Sequence, residues 1–161
     1  MTKSEAKKPL VNGVERALPD APFDRKKLTW SAELAEATVA LALQRPWITY
    51  AVELGVQPNG FVNPFYAFRR DDVSTYGLRV WVKFLAADDF DDSFLNLDVE
   101  MDAAVREEKV AEYIGRFASP FLERFATVDA LRPLTQKRPK GVTLHPALQA
   151  WLDAPEATPP P

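Results

Sequence analysis

Cysteine is absent from the 161 residues, and this absence excludes several kinds of chemistry. Without thiols the chain cannot form disulfides, iron–sulfur clusters or thiolate zinc sites, and it has no cysteine nucleophile. A protein that uses none of these features fits a reducing compartment such as the cytoplasm.

Histidine is nearly absent as well, since His145 is the only one. A single imidazole cannot build a histidine metal cluster, and no serine lies in a Gly-x-Ser-x-Gly turn that would present a nucleophile to it. Because His145 stands directly before Pro146, we predict that it begins a helix rather than catalyses a reaction. The six glycines are scattered, so the chain has no glycine-rich phosphate loop, and we predict no cofactor.

Long hydrophobic runs are also missing. The longest, Val39–Leu43, is far shorter than the roughly 20 apolar residues that span a bilayer. The charged start of the sequence lacks the apolar stretch of a secretion signal. These observations predict a cytoplasmic protein with no membrane partner.

Charged residues are abundant but unevenly distributed. Residues 28–133 hold ten basic and seventeen acidic side chains, a net charge of −7, whereas the two flanking segments are slightly positive. A nucleic-acid-binding protein neutralises phosphates with basic side chains, and an acidic middle segment cannot do this. We therefore predict no nucleic-acid partner. A protein with a basic contact surface fits this charge better, and a homo-oligomer is a second option.

Alternating apolar and polar residues fill the stretch between positions 47 and 101. This period of two is that of a strand with one buried face. We expect the four strands to form one antiparallel meander. The predicted strands are residues 47–56, 61–70, 78–84 and 95–101.

Turn signals support the first two strands. Asn59-Gly60 supplies the residues that a tight hairpin turn prefers, so the strand after it should fold back beside the strand before it. Pro64 lacks a backbone donor, which would place this second strand at an edge or a bulge.

Helical patterns lie on both sides of these strands. Ser31–Gln44 is alanine-rich with a serine cap, which predicts a helix, although Thr38–Leu43 also alternates like a strand. Ala103–Phe117 carries the clearest apolar stripe in the chain. Gly115 weakens this helix and Pro120 should break it, so two consecutive helices are predicted.

The two ends of the chain have fewer apolar residues. We interpret residues 1–27 as a flexible leader with at most one helical turn, near Val14–Leu18, followed by a folded domain over 28–134. Residues 135–161 are predicted to form a linker, a short amphipathic helix after His145, and a proline-rich tail, Ala154–Pro161. The helix either docks back on the domain, which we expect, or presents its apolar edge to a groove of another protein. The predicted fold is therefore a single α+β domain, a four-stranded antiparallel sheet with helices packed on one face.

The polar face of the predicted sheet is the first candidate site. If the third and fourth strands pair, cross-strand ion pairs become available. Trp81 stands out among these charges: it is covered by a helix, sandwiched by its neighbours in a cation–π contact, or exposed as a binding anchor. The residues proposed to meet a partner are Arg79, Trp81, Lys83, Asp98 and Glu100, with Trp151 of the last helix.

The acidic loop between the last two predicted strands is a weak metal candidate. Asp89, Asp91, Ser93 and Glu100 have the spacing of oxygen ligands in a calcium loop. However, Phe94 occupies the position that needs glycine, and the flanking patterns are strands rather than helices. We therefore predict no metal and interpret the acidic run as a solvated loop that discourages edge pairing.

These features favour a non-enzymatic protein-binding module, such as an adaptor, an immunity protein or a chaperone, with an acidic surface that meets a basic partner. An alternative is a ligand-binding protein or enzyme with a pocket between sheet and helices, lined by Tyr50, Phe65, Tyr66 and Tyr113. A further alternative is a subunit of an assembly that uses extended termini.

Overall fold

A computed structural model of the protein describes residues 2–154 as one antiparallel sheet of six strands with helices on one of its faces. The strands follow one another across the sheet in chain order, and each is antiparallel to the next. This confirms an α+β fold with an antiparallel sheet, but the predicted number of four strands is wrong. The strands are β1 Asp24–Lys26, β2 Thr29–Glu33, β3 Ala37–Gln44, β4 Ala51–Pro58, β5 Leu78–Trp81 and β6 Thr143–Leu144.

The helices form a layer over the sheet face that carries Val39, Leu41, Leu54 and Val80. Apolar residues from both ends and from the middle of the described chain meet there in the main core. The α-helices are α1 Lys3–Ala17, α2 Ala103–Tyr113, α3 Ser119–Arg124, α4 Val128–Leu131 and α5 Pro146–Asp153. None of the helices in residues 2–154 combines the length and apolar character needed to cross a membrane.

The predicted second strand, residues 61–70, is wrong. The chain does turn at Asn59-Gly60, where Gly60 has a φ of 85°, but it does not return beside β4. Instead the Asn59 amide donates to the carbonyls of Leu34 and Ala35, at 3.1 and 3.0 Å, which fixes the turn to the β2–β3 hairpin. The neighbours of β4 are β3 and β5, so residues 61–77 cross one face of the sheet as a loop.

The predicted fourth strand, residues 95–101, is also wrong. Its residues form a short 3₁₀ turn and a loop. The Leu95 carbonyl accepts the backbone N–H of Tyr50 at 3.1 Å, and other carbonyls of this stretch accept hydrogen bonds from one buried side chain. Arg106 of α2 donates to the carbonyls of Phe94, Asn96 and Val99 at 2.6 to 3.0 Å. Charge-assisted hydrogen bonds of this kind satisfy the backbone without a sheet partner.

The helix predicted over Ser31–Gln44 is wrong, and the competing strand interpretation is correct. The segment forms β2, a short turn and β3. Tertiary burial decides this, because β3 lies between two neighbours and is covered on both faces. Its odd residues enter the helix-covered core, while Ala40 and Ala42 pack beneath Val73 and Tyr76 on the opposite face.

Residues 1–27 contain far more helix than the single turn predicted. Thr2 and Glu5 form a capping box, with both reciprocal hydrogen bonds present, and α1 continues for 15 residues. Leu10 and Val14 are fully buried against α2. Since Gly13 has no Cβ, the two helices can approach closely; an added Cβ would lie 2.6 Å from the Val110 Cβ.

The prediction of two consecutive helices after residue 102 is confirmed. A π-helical turn, Ile114–Ala118, joins α2 to α3, and Pro120 lies in the first turn of α3. Proline has no backbone donor, so the hydrogen-bond pattern must change just before it. A short helix, α4, follows α3, and the Thr127 side chain caps it.

The predicted docking of the last helix is confirmed. Leu148 and Leu152 of α5 are buried in the common core, and β6 adds the preceding residues to the edge of the sheet. Trp151 packs beside Phe61, with ring centroids 5.8 Å apart. The predicted proline-rich tail lies outside the described residues, apart from Ala154.

Candidate functional site

The second face of the sheet, opposite the helices, is largely polar, and a loop covers only part of it. Val73 and Tyr76 of the loop lie on Ala40 and Ala42. Tyr76 rests on Gly55, where an added Cβ would come within 2.7 Å of the ring. Burial raises the pKa of the Tyr76 phenol, whose hydroxyl donates to the Arg70 carbonyl at 2.7 Å.

Arg70 holds this loop over the first strands of the sheet. Its guanidinium donates to the Ser31 hydroxyl at 2.8 Å and forms ion pairs with Asp24 and Glu33 at 3.0 and 3.1 Å. The loop therefore covers the β1–β3 side of the polar face. The side toward β5 is left more open.

An ion pair between a buried carboxylate and a partly exposed guanidinium lies on that side. Glu53 of β4 is opposite Ala42 on one neighbouring strand and Trp81 on the other, and its side chain is only 3% exposed. Arg79 donates to Glu53 Oε2 through Nη2 at 2.8 Å and through Nε at 3.1 Å. Burial raises the pKa of the Glu53 carboxyl, and the Arg79 charge only partly opposes this effect.

A cleft of about 190 Å³ opens beside this pair. Trp81 is half-buried and forms one wall, so it is neither covered by a helix nor fully exposed. The structure brings together Arg79 and Trp81 of the predicted site and adds Glu53, which was not among the predicted site residues. The lining is completed by Val80, Gly141 and Thr143.

A second feature is an aromatic segment, residues 62–68, on the outside of the loop. Val62 is 81% exposed and Phe65 is 74% exposed. The Asn63 side chain accepts a hydrogen bond from the Phe65 backbone at 2.9 Å, which forms a tight turn around Pro64. Exposed apolar side chains grouped in one short segment are unusual on a protein surface.

The ring of His145 supports this aromatic segment. Phe65 and Tyr66 pack on the imidazole, with ring centroids 5.6 and 5.5 Å away. His145 Nδ1 accepts the backbone N–H of Ala147 at 3.0 Å and so caps α5. This confirms the prediction that His145 begins a helix.

The remaining predicted site residues do not join Arg79 and Trp81. Lys83 is exposed in the 3₁₀ turn Val82–Phe84 that follows β5. Asp98 and Glu100 lie in the loop held by Arg106, and Glu100 lines a shallow cleft against α1. The predicted cross-strand pairs are therefore absent, because residues 95–101 are not a strand.

The acidic loop folds around local hydrogen bonds. Asp91 accepts the Ser93 backbone N–H at 3.0 Å, and this bond lowers the pKa of the Asp91 carboxyl. In the part of the chain that the structure describes, no three Asp, Glu, His or Cys side chains are placed to bind one metal ion.

The aromatic residues predicted to line one pocket lie in two different environments. Tyr50 and Tyr113 are buried in the main core. Phe65 is exposed on the opposite side of the sheet, and Tyr66 lies beside it. The signal that could have located the segment was its composition, since Phe61–Phe68 holds four aromatic residues around a proline that cannot stay in a central strand.

Comparison with known proteins found no matching family model, no matching curated protein and no matching solved structure.

Proposed function

We propose that the protein is a non-enzymatic protein-binding module and that the aromatic segment, residues 62–68, is its main contact. The observation that carries this proposal is the exposure of Val62 and Phe65. Aromatic side chains are enriched where proteins bind one another, because they bury a large area at little cost in side-chain entropy.

The segment has the rigidity that a recognition surface needs. Pro64 restricts the backbone, the Asn63 side chain fixes the turn, and His145 supports two of the rings from below. A rigid anchor loses less conformational entropy on binding than a flexible loop does.

Charge defines the second part of the proposal. Residues 28–133 carry a net charge of −7, so a partner with a basic rim around an apolar centre would complement the surface. Such a rim speeds association and adds salt dependence, while the aromatic anchors supply most of the affinity. We propose the cytoplasm as the place where the two proteins meet.

The test compares two kinds of surface variant. Val62→Ser combined with Phe65→Ser removes the exposed apolar groups, and Trp47→Ser is the matched control because Trp47 is 87% exposed in the β3–β4 turn. Partners captured from the native host by the wild type are identified and their affinities measured by calorimetry. We expect the double variant to weaken binding about 30-fold or more, since anchor residues contribute about 2 kcal/mol or more.

Both variants should unfold like the wild type, because exposed substitutions change stability by about 0.5 kcal/mol or less. Equal affinity of the wild type and the double variant for every captured protein would contradict the aromatic segment as the contact.

A further inference from the structure

The side chain of Glu53 is almost fully enclosed, but a cleft leads from the protein surface to its carboxylate. It lies at the inner end of the 190 Å³ cleft rather than beneath the helix layer. A charged group in that position needs hydrogen-bond donors to replace the water it has lost.

Arg79 supplies donors to one carboxylate oxygen only. Both of its hydrogen bonds go to Glu53 Oε2, and Oε1 has Gln44 Nε2 at the long distance of 3.5 Å. Within residues 2–154, Arg79 Nη1 has no acceptor. Oε1 therefore has acceptor capacity to spare and Nη1 has donor capacity to spare, since a carboxylate offers about four acceptor sites and a guanidinium five donors, and both residues line the cleft.

The cleft exists because the sheet ladder stops there. β6 pairs only with Leu78 and Arg79, so the chain at Gly141 does not cover β5 at Trp81. The half-buried indole of Trp81 gives one wall a flat apolar surface, and the exposed Thr143 adds a hydroxyl at the rim.

We propose that this cleft binds a small, planar, uncharged heterocycle whose edge carries an N–H donor beside a C=O acceptor, as in a lactam ring. Glu53 Oε1 accepts the N–H, Arg79 donates to the carbonyl oxygen, and the ring stacks on Trp81. The charges of Glu53 and Arg79 balance, so an ionised ligand gains nothing from the pair. The volume accommodates one ring rather than a drug-sized molecule.

Uracil is the probe for this proposal, and 1,3-dimethyluracil is its matched control because it keeps the ring and both carbonyls but lacks every N–H. Ligand-detected NMR with the full-length protein would measure both affinities. We expect uracil to bind with a Kd of about 1 mM, as suits a fragment of this size, and the dimethyl compound to bind at least about tenfold more weakly.

Variants locate the binding. Glu53→Gln removes the charge at nearly the same size, and Trp81→Leu removes the stacking wall; each should weaken uracil binding about tenfold or more. Trp81→Phe keeps a ring and should stay within about threefold of the wild type. If circular dichroism shows that one variant does not fold, the remaining variants still test the proposal.

Two outcomes would overturn the proposal: no uracil binding at about 10 mM, or binding that Trp81→Leu and the dimethyl compound leave unchanged. The variant with Val62→Ser and Phe65→Ser should bind uracil like the wild type. The cleft and the aromatic segment are thus tested separately.

Discussion

Glu53 shows what burial does to a single charged side chain. Its carboxylate has lost almost all contact with water, and one guanidinium bound to one oxygen does not fully replace that hydration. The pKa of Glu53 is therefore above its ordinary value of 4.5 in the folded protein. In the unfolded chain, by contrast, the same group is solvated and ionises normally.

This difference predicts a pH dependence of stability. Between pH 4.5 and the raised pKa, the folded protein holds a proton on Glu53 that the unfolded chain has released. The free energy of unfolding should therefore fall as the pH rises through this window. Glu53→Gln cannot titrate, so in urea unfolding the wild type should lose stability relative to this variant as the pH rises from 4.5 through the raised pKa.

Glu123→Gln, the same carboxyl-to-amide change at an exposed position, provides the control. A difference between wild type and Glu53→Gln that stays constant over this range would show that Glu53 ionises alike in the folded and unfolded states.

The sequence could place Glu53 on the polar face, since it alternates with Val52 and Leu54. It could not identify Arg79 as the partner, because that depends on the register between β4 and β5 across the long connection, residues 59–77. The sequence could not predict the exposure of Phe65 either, since apolar residues in a strand-like pattern normally indicate a core.

At the scale of secondary-structure elements, the contact between α1 and α2 depends on one small residue, Gly13. A Cβ added at Gly13 would lie 2.6 Å from the Val110 Cβ and 2.8 Å from the Glu107 carbonyl oxygen. At Gly115, in the π-helical turn, the nearest atom is the Ala17 Cβ at an ordinary 3.7 Å. A side chain would therefore have room at Gly115 but not at Gly13, although the sequences around the two glycines look alike.

Alanine at these two positions should have opposite effects. Alanine favours a helix over glycine by about 1 kcal/mol. At Gly13 overpacking of about 1–3 kcal/mol opposes this gain, so Gly13→Ala should destabilise the protein, whereas Gly115→Ala should be neutral or stabilising. Chemical denaturation of both variants measures the difference, and a stabilised Gly13→Ala would mean that the helices do not pack this closely.

Local patterns predicted elements well where packing agreed with them. The stripe of α2, the break before Pro120 and the cap at His145 all depend on residues within one or two turns. The helix prediction for Ser31–Gln44 failed because burial on both faces of a central strand outweighs the helix preference of alanine. The strand prediction for residues 95–101 failed because Arg106, from a different element, binds the carbonyls of Asn96 and Val99, which a strand partner would otherwise bind.

At the scale of the whole molecule, both ends of the described chain contribute to the main hydrophobic core. Leu10 and Val14 of α1 and Leu148 and Leu152 of α5 belong to the same cluster as the central strands. The Lys residues and the proline of the first helix made this segment look unstructured. A helix nevertheless needs few apolar residues to anchor one face. Composition alone therefore underestimated how much of the first 27 residues is structured.

Removing α1 tests whether this core is a single unit. Leu10, Val11 and Val14 are buried, and each such side chain contributes about 1.5–3 kcal/mol, so their loss approaches the total stability of about 5–15 kcal/mol for a typical domain. A protein without residues 1–22 should lose cooperative unfolding in circular dichroism. Full-length Leu10→Ala, which should lose about 2–5 kcal/mol, provides a milder version of the same change. A shortened protein that unfolds with the wild-type midpoint would instead make α1 an independent appendage, because a helix that shares the core cannot be removed without exposing the apolar surface of α2.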